Sequence, residues 1–119
     1  MAIILKFSVS PSVALNLLKK KIDDHEIDTW EYDEDGDFTY SALQWKNKAW
    51  FTHHIQENEL VFGILGRKDT KLSLMEYSVY HGRFTELLMN HLAKYIMSFE
   101  ITPPRISEFD TDEIEYGFE

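Results

Sequence analysis

Residues 72–99 read LSLMEYSVYHGRFTELLMNHLAKYIMSF, and this stretch decides the fold that we predict for the chain. From Arg83 onward, apolar residues recur at spacings of three and four, which is typical of an amphipathic helix. The predicted inner face comprises Phe84, Leu87, Leu88, His91, Leu92, Tyr95, Ile96 and Phe99. The opposite stripe is polar and comprises Glu86, Asn90, Lys94 and Ser98. The pattern therefore predicts a long helix over residues 83–99 that covers a hydrophobic core.

The segment before this helix, Leu72 to Tyr80, is predicted to be a strand. Its apolar residues alternate, and β-branched and aromatic side chains are frequent in it. Gly82 separates the two segments because glycine tolerates backbone angles that other residues resist. A strand that leads into an amphipathic helix implies a sheet for that helix to cover.

The N-terminal residues predict a strand followed by a helix. Residues 3–9 alternate as a half-buried strand does. Ser10 can cap free amides and Pro11 suits a first helical turn, so a helix should begin here and end near Asp23. Its predicted inner face comprises Val13, Ala14, Leu17, Leu18 and Ile22.

Four further strands are predicted between the first helix and the strand at Leu72. They span residues 27–32, 38–45, 49–55 and 60–65. Short polar loops separate consecutive strands, which indicates antiparallel neighbours. The predicted class is therefore α+β, with element order β-α-β(5)-α and a curved antiparallel sheet packed on a long C-terminal helix.

Composition predicts one domain over residues 1–100 and an acidic C-terminal tail over residues 101–119. Hydrophobic residues make up 44% of the 119 residues, enough for one core. Pro103 and Pro104 stop regular structure, and the residues after them are acidic, so we expect a flexible tail. The chain has no cysteine, which excludes disulfides and thiolate metal sites. No apolar run approaches the ~20 residues of a membrane helix, so we expect a cytoplasmic protein without membrane contact.

Charge is concentrated in blocks. The net charge is −9, and residues 23–37 carry nine acidic residues without a lysine or arginine. Such a surface repels phosphates, so direct nucleic-acid binding is not expected.

Within this block, the acidic turn (residues 33–37, DEDGD) invites comparison with a calcium loop. Glu31, Asp33, Asp35 and Gly36 occupy positions one, three, five and six of that template. The twelfth position, which needs a bidentate glutamate, is Ala42, and no helices are predicted to flank the loop. The sequence therefore predicts a solvated hairpin turn and no metal site.

A candidate ligand site lies where the predicted strand meets the long helix. Helix N-termini attract anions, and arginine binds carboxylate or phosphate through two parallel hydrogen bonds. The candidate binding residues for a small anion are Glu76, Tyr77, His81, Arg83 and His91. No nucleophile motif, phosphate loop or HExxH pattern occurs, so no catalytic residue or cofactor is predicted and an enzyme is the less favoured class.

A candidate interaction surface lies on the early hairpins. It comprises Trp30, Tyr32, Asp33, Asp35, Asp37, Trp45 and Trp50. Exposed aromatics are favoured at protein interfaces, although cross-strand aromatic pairs on an outer sheet face explain the same residues equally well. His53 and His54 are adjacent on a strand, so they should point to opposite faces.

Two functional hypotheses follow. The first is a non-enzymatic protein-interaction domain, of the inhibitor, immunity or adaptor type, that uses acidic and aromatic residues against a basic partner or a second copy of itself. The second is a small-anion-binding domain or modest enzyme with a pocket between the sheet and the C-terminal helix.

Overall fold

The chain folds into one antiparallel six-stranded sheet and two helices, as a computed structural model that describes residues 1–68 and 70–102 shows. The elements in chain order are β1 (Ile3–Phe7), α1 (Pro11–Asp23), β2 (Trp30–Tyr32), β3 (Phe38–Tyr40), β4 (Ala49–Gln56), β5 (Glu59–Gly66), α2 (Leu74–Leu92) and β6 (Ile96–Ile101). The order across the open sheet is β2-β3-β4-β5-β1-β6. The predicted α+β class, with an antiparallel sheet and a long helix near the C-terminus, is confirmed.

Helix α1 begins and ends where the sequence predicts. The Ser10 hydroxyl accepts the amide N–H of Val13 at 3.3 Å, and Pro11 is the first helical residue. The buried face comprises Pro11, Ala14, Leu15 and Leu18, which follow the helical spacing of three and four. Val13, predicted to face inward, is 46% exposed, and Leu15 takes its place. The buried face of α1 is therefore rotated by part of a helical turn relative to the predicted face.

The prediction of a strand over Leu72 to Tyr80 is wrong, because α2 begins at Leu74. The Ser73 hydroxyl accepts the N–H of Glu76 at 3.1 Å, and the Glu76 carboxylate accepts the N–H of Ser73 at 3.0 Å. This reciprocal capping box satisfies two amides of the first turn and fixes the start of the helix. The buried residues of α2 continue on one face as Tyr77, Tyr80, His81, Phe84, Leu87, Leu88 and Leu92.

The end of the long helix also differs from the prediction. α2 stops at Leu92, a short 3-10 turn spans Ala93–Tyr95, and β6 follows. Ile96 and Phe99, predicted on a helix face, lie on this strand, where Phe99 is opposite Leu5 of β1. The sheet keeps six strands because β6 replaces the predicted fifth meander strand. The tail predicted for residues 101–119 falls, from residue 103 onward, outside the described residues.

The early hairpins contain less strand than predicted. β2 and β3 have three residues each, and Leu43–Trp45 forms a 3-10 turn instead of extending β3. β4 and β5 are longer, with eight residues each, and pair along their whole length.

Phe84 of α2 lies at the centre of the hydrophobic core. Its ring stacks on Phe51 of β4 at a centroid distance of 4.3 Å and meets the edge of Phe62 of β5 at 4.8 Å. Trp30 of β2 lies 5.0 Å away. Alternate residues of β1, β4 and β5 point to this core, so the other face of the sheet is left to residues such as Lys6, Trp50 and Thr52.

Gly82 lies in the middle of α2 on the exposed side, so replacing it with alanine should stabilise the protein. A Cβ atom at Gly82 meets no other atom within 4 Å, and alanine loses less backbone entropy in a helix. We expect Gly82→Ala to raise the free energy of unfolding by about 0.5–1 kcal/mol in urea titrations.

Gly36 supplies the matched control. Its φ of +81° disfavours a side chain, and a Cβ atom there would lie 3.2 Å from the Lys19 ammonium. Gly36→Ala should therefore lower the free energy of unfolding. A destabilised Gly82→Ala variant would contradict a continuous helix through residue 82.

Candidate functional site

Asp33 organises the acidic turn that joins β2 to β3. Its carboxylate oxygen Oδ1 accepts the N–H groups of Asp35 and Asp37, each at 3.0 Å. The N–H of Gly36 donates to the Asp33 carbonyl at 3.0 Å, and the N–H of Asp33 donates to the Asp37 carbonyl at 3.1 Å. Four hydrogen bonds within five residues hold the turn in one shape, as aspartate does in many tight turns.

Within the described residues, the carboxylates of the acidic turn form no ion pair with a lysine or arginine. Nearby acids do: Lys20 pairs with Asp24 at 2.8 Å and Lys21 pairs with Glu26 at 3.1 Å. No lysine or arginine of residues 1–68 and 70–102 forms an ion pair with the turn, whose acids are Asp33, Glu34, Asp35 and Asp37, or with Glu31 beside it. The turn therefore carries a surplus of negative charge, with Glu31, Glu34 and Asp35 exposed, and the one ammonium beside it is that of Lys19, near Gly36, among the described residues.

Three of these carboxylates lie close together. Oxygen atoms of Asp33, Asp35 and Asp37 fall within 4.8 Å of one another. Burial raises the pKa of Asp37, and the charges of Asp33 and Asp35 raise it further, while a hydrogen bond with Thr52 acts in the opposite direction. Like charges at this spacing concentrate negative potential at one end of the molecule.

The structure separates the aromatic residues of the predicted interaction surface. Trp30 is 3% exposed and packs against Tyr40 at 5.1 Å, so it belongs to the core and not to a surface. Tyr32 is half-buried, and its hydroxyl donates to Asp23 at 2.7 Å, a bond that raises the Tyr32 pKa. Trp45 and Trp50 remain partly exposed.

Trp50 lies on the outer sheet face, two residues along β4 from the residue that contacts the acidic turn. It shares that face of β4 with Thr52, whose hydroxyl contacts the Asp37 carboxylate. Leu65 lies directly opposite Trp50 on β5 and is itself exposed. A partly exposed apolar pair therefore lies on the same sheet face as Thr52, which contacts the turn. The predicted interaction surface did not include Leu65, Glu31 or Glu34, and strand register was needed to place Leu65 opposite Trp50.

The predicted anion site loses its physical basis, because Tyr80 to Phe84 lie within a helix and offer no free amides. Tyr77 and His81 are buried; His81 Nδ1 lies 2.7 Å from the Tyr77 carbonyl and Nε2 lies 3.2 Å from the Met1 carbonyl. Glu76 belongs to the helix cap and pairs with Arg67 at 3.2 Å. These three residues serve the fold.

Arg83 and His91, the other two candidates, do line one groove. It has a volume of about 270 Å³ and lies between α2 and the segment that precedes β2. Three carboxylates also line it, those of Glu26, Asp28 and Glu86, and Glu86 pairs with Arg83 at 3.4 Å. Burial lowers the pKa of His91, and the nearby Lys21 lowers it further. The groove is therefore polar and carries more acidic than basic groups.

His53 and His54 point to opposite faces of β4, as predicted. They lie opposite Phe62 and Val61 of β5, respectively. His53 faces the core side, near Lys19 of α1, and its ring lies beside Gly36. Burial lowers the pKa of His53; Lys19 and His54 lower it further, whereas Asp37 and Gly36 act in the opposite direction.

This lowered pKa predicts a loss of stability on acidification. In the unfolded state His53 binds a proton near pH 6.5, whereas in the folded state it binds the proton only at a lower pH. The free energy of unfolding should therefore fall as the pH is lowered from about 7.5 to about 5.5. His91, whose pKa is also lowered, contributes with the same sign. His53→Gln should flatten this dependence when urea unfolding is measured at both pH values. His25→Gln, at an exposed position, is the control, and an equal flattening in the control would contradict the role of His53.

No family model, curated protein or solved structure matches the chain. In the described part of the chain, neither helix is long and apolar enough to cross a membrane.

Proposed function

We propose that this protein is a non-enzymatic interaction domain that binds a basic protein surface through its acidic turn and Trp50 of the outer sheet face. The observation that carries the proposal is the combination of a fixed turn with carboxylates that form no ion pair with a described lysine or arginine. An inhibitor, an immunity protein or an adaptor would use such a surface.

A fixed acidic turn suits rapid and specific association. A surplus of negative charge attracts a basic partner over a distance and raises the rate of encounter. Because Asp33 already holds the turn in shape, little loop entropy is lost on binding. Trp50 and Leu65 offer apolar area beside the charges, and aromatic residues of this kind contribute much of the binding energy at many interfaces.

The test uses two variants of matched charge. Glu34→Gln with Asp35→Asn removes two exposed charges from the turn but keeps Asp33 and Asp37, which maintain its shape. Glu57→Gln with Glu59→Gln removes two charges at the β4–β5 turn. A partner recovered by pull-down from the source cell is then measured by surface plasmon resonance at several salt concentrations.

We expect the turn variant to associate about tenfold more slowly at low salt, with little change in dissociation and a weaker salt dependence. The Glu57 and Glu59 variant should behave like the wild type. Equal slowing in both variants would show that only net charge matters and would contradict the proposed surface.

The groove beside α2 supports a second candidate function, the binding of a small ligand or a modest enzymatic activity. The supporting observation is that Arg83 and His91 both line this groove. On this hypothesis, Arg83→Ala abolishes binding of a phosphate or carboxylate probe, and the turn variant has no effect. The surplus of carboxylates in the groove makes an anionic ligand the weaker proposal.

A further inference from the structure

We propose that β6 is a dimerisation edge, which pairs antiparallel with β6 of a second copy of this chain and joins two sheets into one. This interface is distinct from the acidic turn and does not depend on the proposed function.

The two edges of the sheet differ in their capacity to pair. β2 has three residues and continues into the acidic turn, so it is short and bordered by charge, as protected edges are. β6 has six residues, of which Met97 is 73% and Ile101 41% exposed. Among residues 1–68 and 70–102, only β1 pairs with β6, so its other side is open in this part of the chain.

The hydrogen-bond alternation shows which groups face the open side. The N–H of Thr102 donates to the Ala2 carbonyl at 3.0 Å, so Thr102 and Ala2 form a hydrogen-bonded pair. In an antiparallel ladder, hydrogen-bonded pairs alternate with pairs that are not bonded. Glu100 and Ser98 therefore bond to β1, and the N–H and C=O groups of Phe99 and Ile101 point to the open edge.

Met97 adds a third residue to the open edge. Ser98 lies opposite Lys6 and Ile96 lies opposite Phe7, so the register skips Met97. Its backbone has no counterpart in β1, as in a β-bulge.

These groups suit a two-fold axis at Phe99. In that register, Phe99 lies opposite Phe99 of the second copy. Met97 of each copy lies opposite Ile101 of the other copy. Phe99 and Ile101 use the backbone groups that face outward, Met97 is the bulge residue that the register with β1 skips, and apolar side chains meet apolar side chains.

The same register also matches charge. Glu100 lies opposite Ser98 of the second copy, so no like charges are directly opposed. Ser98 is small and lies between Lys6 of β1 and Glu100 of the second copy. Lys6 and that Glu100 are two strand spacings apart, which is about 9.6 Å at ~4.8 Å per spacing. The long side chains of Lys6 and Glu100 can approach each other over that serine. A shift of the axis to Glu100 would instead place two carboxylates face to face.

The test compares two double variants of the full chain by sedimentation equilibrium over a range of concentrations. Met97→Lys with Ile101→Lys places two lysines opposite each other on each side of the axis. Met97→Lys with Ile101→Glu changes the same positions but places a lysine opposite a glutamate. Circular dichroism checks that both variants remain folded, which their exposed positions favour.

We expect a concentration-dependent dimer for the wild type and for the lysine–glutamate variant. The double-lysine variant should dimerise at least about tenfold more weakly. Equal weakening of both variants would contradict this register and overturn the proposal. A wild type that is monomeric at every concentration would also overturn it, and slow hydrogen exchange of the Phe99 amide in that monomer would show that the edge is covered by the chain itself.

Discussion

Replacing Phe84 with alanine should lower the free energy of unfolding by about 3–5 kcal/mol, the range for a buried aromatic residue. Phe84 is fully buried, and its ring contacts aromatic rings from several strands of the sheet. Alanine would leave a cavity that these rings cannot all fill, because β4, β5 and α2 hold them in place. Since small domains are stable by only about 5–15 kcal/mol, the variant should be close to unfolding at physiological temperature.

Urea titration followed by circular dichroism measures this loss. Met89→Ala is the control, since Met89 lies on the same helix but is half exposed. We expect a cost below about 1 kcal/mol for the control, as for most surface changes. Similar costs for the two variants would contradict the inner face assigned to α2.

Replacing Trp30 with alanine should also cost about 3–5 kcal/mol, although the sequence placed Trp30 on an interaction surface. Its ring is buried against Tyr40, Tyr80 and Phe84 at centroid distances between 5.0 and 6.0 Å. Trp30 is also the main core residue of the short strand β2, so its loss should loosen the attachment of the acidic turn.

Trp50→Ala provides the comparison, because Trp50 lies on the outer sheet face and loses mainly its contact with Leu65. That variant should cost about 0.2–1 kcal/mol, as for one cross-strand pair, and should weaken binding of a partner. A small stability cost for Trp30→Ala would show that Trp30 is not a core residue.

Local signals predicted the first part of the fold well. Ser10 and Pro11 mark the start of α1 through the chemistry of the first helical turn, and both bounds of that helix follow. The paired strands β4 and β5 were also found, because turn residues separate two apolar runs.

The error at Leu72 to Tyr80 arose because a short apolar run fits both a period of two and a period of 3.6. Ser73 and Glu76 form a capping box, a sequence signature that favours a helix over a strand and could have decided between them. Gly82 was wrongly predicted to separate a strand from the helix. An exposed glycine inside a helix lowers the free energy of unfolding by only about 1 kcal/mol, which the buried face of α2 offsets.

β6 could not be predicted from local pattern, since Ile96 and Phe99 continue the helical spacing of Leu88 and Leu92. Pairing with β1, which lies more than ninety residues away, overrides that preference. The candidate site shows the same limit. The sequence alone predicts the acidic turn, but the burial of Trp30 and the position of Leu65 opposite Trp50 depend on strand register. The binding roles of Asp33, Asp35 and Asp37 stay predictions.

The position of β1 between β5 and β6 has a consequence for the chain as it leaves the ribosome. β1 precedes both of these strands in the chain, and Ile3 lies opposite Phe62 and Ile101. At about 5–20 residues per second, Phe62 is translated roughly 3–12 s after Ile3 and Ile101 roughly 5–20 s after it. Until β5 is translated, Ile3 and Leu5, which are fully buried in the native state, have no native partner strand. The nascent β1 is thus an apolar segment that a chaperone can bind, and its second side stays unpaired until β6 has been made.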